Sequence, residues 1–176
     1  GTATMAAYGK LGEELGERRF LLDGEQEVVG RSPRFCGQHI MVPRHGVAVH
    51  INAFNFPVWG MAEKLACAFL AGVPGLTKPG TSTALPAFRV GQLMVDSGLL
   101  PAGAWAFLCG GAGDLLDHLN GQDTVAFTGS ADTGARIRGH ENVIRKSVRV
   151  NVEADSLNAA VLGPDVDTDS DTWDLF

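Results

Sequence analysis

Apolar positions fall into two textures along the chain. From His50 onward, short and nearly unbroken apolar runs alternate with segments whose apolar residues recur at helical spacing. Val47–Ile51, Val73–Lys78, Trp105–Cys109 and Thr124–Phe127 read as short buried strands. Between them, Pro57–Ala71, Thr81–Ser97, Asp114–Leu119 and Ala131–Gly139 read as helices. Pro57 suits a first helical turn, Gly72 a stop, and Thr81 or Ser82 a cap. Val143–Val152 and Asn158–Leu162 read as further strands.

The N-terminal part is looser. Residues 3–19 are rich in Ala, Leu and Glu and read as a helix, weakened by Gly9, Gly12 and Gly16. Glu27–Val29 and His39–Val42 are apolar pieces between Gly, Pro and Arg breakers, which predicts strands and a hairpin. Arg31, Arg34 and Arg44 read as surface charges, and Asp165–Asp174 as an acidic, exposed connection.

Strands alternating with helices define an α/β fold: a doubly wound, mostly parallel sheet with helices on both faces. Ligands of such sheets bind at the carboxyl ends of the strands. The informative residues therefore follow the strands: Asn52–Asn55, Lys78–Thr81, Gly110–Gly113, Thr128–Ser130 and Glu153.

Composition narrows the class. The chain has 176 residues, 45% hydrophobic and 19% charged, which suits a soluble globular domain. A net charge of −6 offers no attraction to nucleic acid or an anionic membrane, and no apolar run reaches transmembrane length. The N-terminal residues lack the layout of a secretory signal. Three cysteines without metal-type spacing read as reduced core thiols of a cytoplasmic protein. The five histidines form no ligand pair, so no metal site is expected.

Val125–Ile137 is the stretch around which a site would form. A strand, the turn Thr128-Gly129-Ser130 and a helix containing Gly134 would present backbone N–H groups to a phosphate. Gly110–Gly113 is either a second phosphate loop or only a tight turn. Lys78-Pro79 is either a surface lysine beside a turn or a donor to a ribose or phosphate. Thr81 is uncharged, so a 2′-phosphate there would not be repelled. Asn55 is either a structural cap or a donor toward oxyanion charge. Glu153, at a strand end, is either solvated or a general base. There is no G-x-G-x-x-G fingerprint, P-loop or Gly-x-Ser-x-Gly elbow.

In order, Asn55-Phe-Pro57, Leu65–Gly72, Lys78-Pro79, Phe127-Thr-Gly-Ser130 with Gly134, and Glu153 resemble the motif series of the aldehyde dehydrogenase superfamily over about residues 43–167. The wording His50–Gly60, Ala112–Leu119 and Glu153–Asn158 resembles the branch that oxidises CoA-linked semialdehydes in phenylacetate and benzoate breakdown. In that branch the dehydrogenase is often fused to a hydratase domain in the phenylacetate case.

The resemblance implies roles. Asn55 would donate to the thiohemiacetal oxyanion, and Phe54 would sit beside the nicotinamide. Lys78 would bind the adenosine ribose or its 2′-phosphate. Gly129 and Ser130, with Gly134 behind them, would form the pyrophosphate end, and Glu153 would activate water. Thr81, where many NAD-preferring relatives carry Glu, favours NADP over NAD. Glu153-Ala-Asp-Ser departs from the usual Glu-Leu-Gly-Gly.

The resemblance further implies an N-terminal helix and hairpin-like segment (1–42), a nucleotide-binding domain (43–163) and a connection toward a catalytic domain (164–176). The family's nucleophilic cysteine comes later than Glu153, so this stretch alone is expected not to oxidise aldehydes. The full enzyme would act on a CoA-linked aldehyde as a homo-oligomer. The competing expectation is a non-catalytic domain of the same fold acting by protein association.

Overall fold

In the computed structural model, which describes residues 2–159 and 161–175, five parallel strands form one sheet in the order β5-β4-β3-β6-β7. They are β3 (Ala48–Ile51), β4 (Gly75–Lys78), β5 (Trp105–Phe107), β6 (Thr124–Gly129) and β7 (Arg149–Ala154). The chain enters at the central strand β3, winds outward to β5, then crosses back to build β6 and β7 on the other side. This is the expected doubly wound, parallel α/β architecture. Its winding reverses between β3 and β6, which leaves a crevice at their carboxyl ends.

Pairing register decides what each face presents. Ala48 lies beside Gly75 and Thr124, and Thr124 beside Arg149, so alternate residues share a face across the sheet. One face carries Val49, Ile51, Val125, Phe127, Val150 and Val152, packed on Ile137 and Val143 of α4 (Ala131–Arg138) and α5 (Glu141–Arg145). The other face is covered over β4 and β5 by α2 (Pro57–Leu70) and α3 (Ala84–Asp96). There Met61, Leu65 and Ala87 meet Trp105 and Phe107. Met61 and Leu65 are fully buried, worth roughly 1.5–3 kcal/mol each.

Pro57 opens α2 in its first turn, and Gly72, with φ of 70°, follows its end. Thr81–Ser97 does not form one helix. Thr81–Thr83 is a 3₁₀ turn and α3 begins at Ala84. Neither Thr81 nor Ser82 caps it, and the residue before α3, Thr83, donates its hydroxyl to the Phe54 carbonyl at 2.6 Å. Asp114–Leu119 shortens to a 3₁₀ turn, Leu115–His118.

Val143–Val152 is not one strand. Residues 141–145 complete α5, with Glu141 and Arg145 paired at 3.3 Å, and Ser147 in the left-handed region turns the chain into β7. The apolar pair Val143-Ile144 mimics a strand, yet only Val143 reaches the core. Asn158, Ala159, Val161 and Leu162 form no strand, and Ala160 of that expected strand lies outside the described residues. The acidic tail contains a short helix, α6 (Asp171–Leu175).

At the N-terminal side, α1 (Thr2–Leu15) stops at Gly16, where φ reaches 57°. It packs on α2, with Cys67 Sγ donating to Tyr8 Oη at 3.1 Å. The expected hairpin exists as β1 (Leu21–Val28) and β2 (Cys36–Met41), antiparallel. β1 starts earlier than the expected Glu27–Val29, because pairing of Leu21 and Leu22 with Met41 and Ile40 extends it past a solvated polar middle. Two expectations are overturned. Cys36, Cys67 and Cys109 are all exposed rather than core thiols, because they sit on the open hairpin, on the α1 side of α2 and after β5. Arg44 is no free surface charge: its guanidinium donates to the carbonyls of Gly121 and Gln122, tying the approach to β3 to the turn before β6.

Candidate active site

A cleft of about 840 Å³ opens at the carboxyl ends of β3, β6 and β7, where the winding reverses. Its walls bring together Phe54 and Asn55 after β3, Gly129 at the end of β6 with Ser130 beyond it, and Glu153 of β7. Lys78, the last residue of β4, and Thr81 beyond it lie outside that lining, one strand away. The two loops nonetheless touch: a Cβ on Gly80 would come within 2.9 Å of Phe54 Cα. Lys78 Nζ donates to the Pro79 carbonyl at 3.1 Å, which leaves two of an ammonium's three donors for another acceptor. Gly134 is buried beneath the cleft, where a Cβ would lie 2.5 Å from Val152, so its lack of a side chain lets α4 approach β7.

The buried amide of the β3 loop is Asn52 rather than Asn55. Asn55 is exposed toward the cleft, whereas Asn52 is 5% exposed and neither of its amide atoms has a hydrogen-bond partner among the described residues. The order of packing explains this. Asn52, the first residue after β3, packs against Gly60 of α2, and the chain then turns outward through Ala53 and Phe54 before Pro57 starts the helix.

Sequence spacing missed Lys64. α2 buries Met61, Leu65 and Ala68, and Lys64 lies three residues after Met61, on the edge of that apolar stripe. Its side chain is 12% exposed, and Nζ donates to Thr128 Oγ1 at 2.9 Å. Thr128 and Glu153 are register partners on adjacent strands, and the Thr128 hydroxyl reaches Glu153 Oε2 at 3.4 Å. Burial lowers the Lys64 pKa below the usual lysine value, opposed by the carboxylates of Glu63 and Glu153. The signal was a lysine among inward positions of an amphipathic helix.

His50, on the same face of β3, is 3% exposed. Burial, and then the Lys64 charge, lower its pKa to about 4, so the ring is neutral at physiological pH. His50 and Lys64 border a second cavity of about 530 Å³ that also reaches Glu153, over the part of the sheet that α2 leaves open.

The helix end expected to receive phosphate is partly satisfied internally. Ser130 caps α4, its Oγ accepting from Thr133 N at 3.3 Å. Asp155 Oδ1 accepts from Ala131 N at 3.0 Å. The N–H of Asp132, too early in α4 for an intrahelical acceptor, remains for a ligand, as does the outer surface of Ser130.

The profile of the aldehyde dehydrogenase family matches residues 13–173, and the chain belongs to that family. It is 51% identical over 172 residues to 3,4-dehydroadipyl-CoA semialdehyde dehydrogenase of Aromatoleum evansii, covering 98% of this chain and 33% of the relative. It is 32% identical over 169 residues to 1-pyrroline-5-carboxylate dehydrogenase of Staphylococcus epidermidis, covering 92% of this chain and 31% of the relative. The chain thus spans about a third of the length of these curated relatives.

Among solved structures, it is similar to a double mutant of betaine aldehyde dehydrogenase from Staphylococcus aureus in complex with NAD+, with TM-score 0.69 and 25% identity. The match covers 85% of this chain and 28% of that one. It is similar as well to 3,6-anhydro-L-galactose dehydrogenase in complex with NAP, with TM-score 0.65 and 24% identity over 86% of this chain and 31% of that one. No helix among the described residues is long and apolar enough to cross a membrane.

Proposed function

We propose that these residues form the dinucleotide-binding part of a semialdehyde dehydrogenase that oxidises a CoA-linked aldehyde to its acid. The observation that carries this reading is the gathering of Phe54, Asn55, Gly129, Ser130 and Glu153 around one cleft at the reversal of the sheet. Similarity to the Aromatoleum semialdehyde dehydrogenase supports the substrate class. The NAD+ complex of the staphylococcal neighbour supports a nicotinamide dinucleotide.

The donor set fits such a ligand. Lys78 would hold the ribose or a 2′-phosphate and Thr81 would add no repelling charge, which favours NADP over NAD, while Ser130 with the Asp132 N–H would hold the pyrophosphate. Phe54, 65% exposed, offers an aromatic wall for the nicotinamide end. When bound, the dinucleotide supplies the hydride acceptor.

The chain's own groups do the rest. Asn55 presents its amide N–H to the negative charge that develops on the aldehyde oxygen when its carbon is attacked. Glu153 takes a proton from water for attack on an acyl-enzyme, held in place by the Thr128 hydroxyl and, through it, Lys64. None of Cys36, Cys67 and Cys109 lines the cleft, so the cysteine nucleophile comes from elsewhere in the complete enzyme and these residues alone do not turn over.

A companion feature supports self-association. Among the described residues the β1–β2 hairpin pairs with no other strand and exposes Leu22, Val28, Ile40 and Met41, an arrangement marginal in isolation and suited to another surface. The test of the main reading is Glu153→Gln in the complete enzyme. Turnover of a CoA-linked semialdehyde should fall steeply while dinucleotide affinity stays unchanged. Undiminished turnover removes Glu153 as the base.

A further inference from the structure

Asp155 follows Glu153 by two residues and adopts φ of 58°, the left-handed region that Asn, Asp and Gly tolerate best. Its backbone N–H donates to the Gly129 carbonyl at 3.0 Å, folding the end of β7 over the end of β6. The same residue places Oδ1 3.0 Å from Ala131 N, at the first turn of α4. Asp155 and Ser130 border the same cleft, together with Glu153. A carboxylate therefore already holds a donor that a phosphate oxygen entering this corner would use, and its like charge opposes that phosphate.

We propose that Asp155 is an internal competitor for the pyrophosphate of the dinucleotide and sets how tightly this site holds it. The inference rests on the reading of Ser130 and the start of α4 as the pyrophosphate end. Asp155 is exposed, so its side chain can swing off Ala131 N when the ligand arrives. The dinucleotide then gains one backbone donor only by displacing the carboxylate. The cost is electrostatic, which ties affinity to ionic strength.

Two variants separate the charge from the fold. Asp155→Asn keeps an acceptor oxygen and tolerance of the left-handed backbone, and Asp155→Gly keeps only the latter. Calorimetric titration with NADP, ADP and adenosine at low and high salt reads the effect. Both variants should bind NADP and ADP about three- to ten-fold more tightly than the parent at low salt, the scale of one partly exposed charge at a helix end. The gain should shrink at high salt, and adenosine, which lacks a phosphate, should bind the parent and the variants alike. Equal or weaker binding of NADP and ADP by the folded variants overturns the proposal and makes Asp155 a structural clasp. If the folded parent binds neither NADP nor ADP, the dinucleotide reading itself fails and this inference falls with it.

Discussion

Lys64 Nζ donates to Thr128 Oγ1 at 2.9 Å across 64 residues of sequence, joining helix α2 to strand β6. Thr128 passes the link on to Glu153 of β7 at 3.4 Å, so one hydroxyl connects three elements beside the cleft. Thr128→Val should remove both bonds at nearly constant volume and leave the half-buried Lys64 without its acceptor. The expected cost is about 1–3 kcal/mol in urea unfolding, with most of it restored by Thr128→Ser. A valine variant as stable as the parent would show that the link carries no energetic weight.

His50 should make the fold acid-sensitive in a defined window. Its folded pKa is lowered to about 4 from an ordinary 6.5, so the unfolded chain binds the proton more readily. The stability contributed is fully present above pH 6.5 and is lost as pH falls toward 4. The shift corresponds to about 3 kcal/mol over that window. Unfolding free energies at several pH values should show His50→Gln with a shallower fall than the parent. Parallel curves would mean that the ring is hydrated, and its pKa ordinary, in the folded protein.

Gly134→Ala tests the packing beneath the cleft. The added Cβ would lie 2.5 Å from Val152, so α4 must lift from β7 or Val152 must shift. A loss of about 1–3 kcal/mol in thermal or urea unfolding is expected. Pairing the change with Val152→Ala should recover part of the loss, and no recovery would place the strain elsewhere.

The proposed preference for NADP rests on Lys78, the last residue of β4, and on Thr81 beyond it. Thr81→Glu should weaken NADP by about tenfold or more through repulsion of the 2′-phosphate while leaving NAD nearly unchanged. Lys78→Ala should weaken both. If Lys78→Ala binds as tightly as the parent, the ammonium takes no part in the site.

Much of the fold was legible because the strands are short, apolar and separated by helix-period segments, as in Val47–Ile51 followed by Pro57–Ala71. Where only length or context separates helix from strand, the pattern failed. Val143-Ile144 looks like a strand but lies within a short helix that buries one of the two. β1 is a strand despite Asp23-Gly-Glu-Gln-Glu27, because pairing with β2 rather than burial defines it.

The site was legible only in part. Residues at or just beyond strand ends, such as Asn55, Ser130 and Glu153, could be located from topology. Lys64 could not, nor could the burial of Asn52 in place of Asn55, since both depend on which side of α2 faces the sheet. Nor could the clasp of Asp155 on Ala131 N, which depends on a left-handed turn after β7.

Calorimetric titration of the folded protein with NADP and with NAD tests the central claim most directly. The cleft at the β3–β6 crevice should give saturable one-to-one binding, tighter for NADP. Absence of binding by either dinucleotide to folded protein would contradict the account.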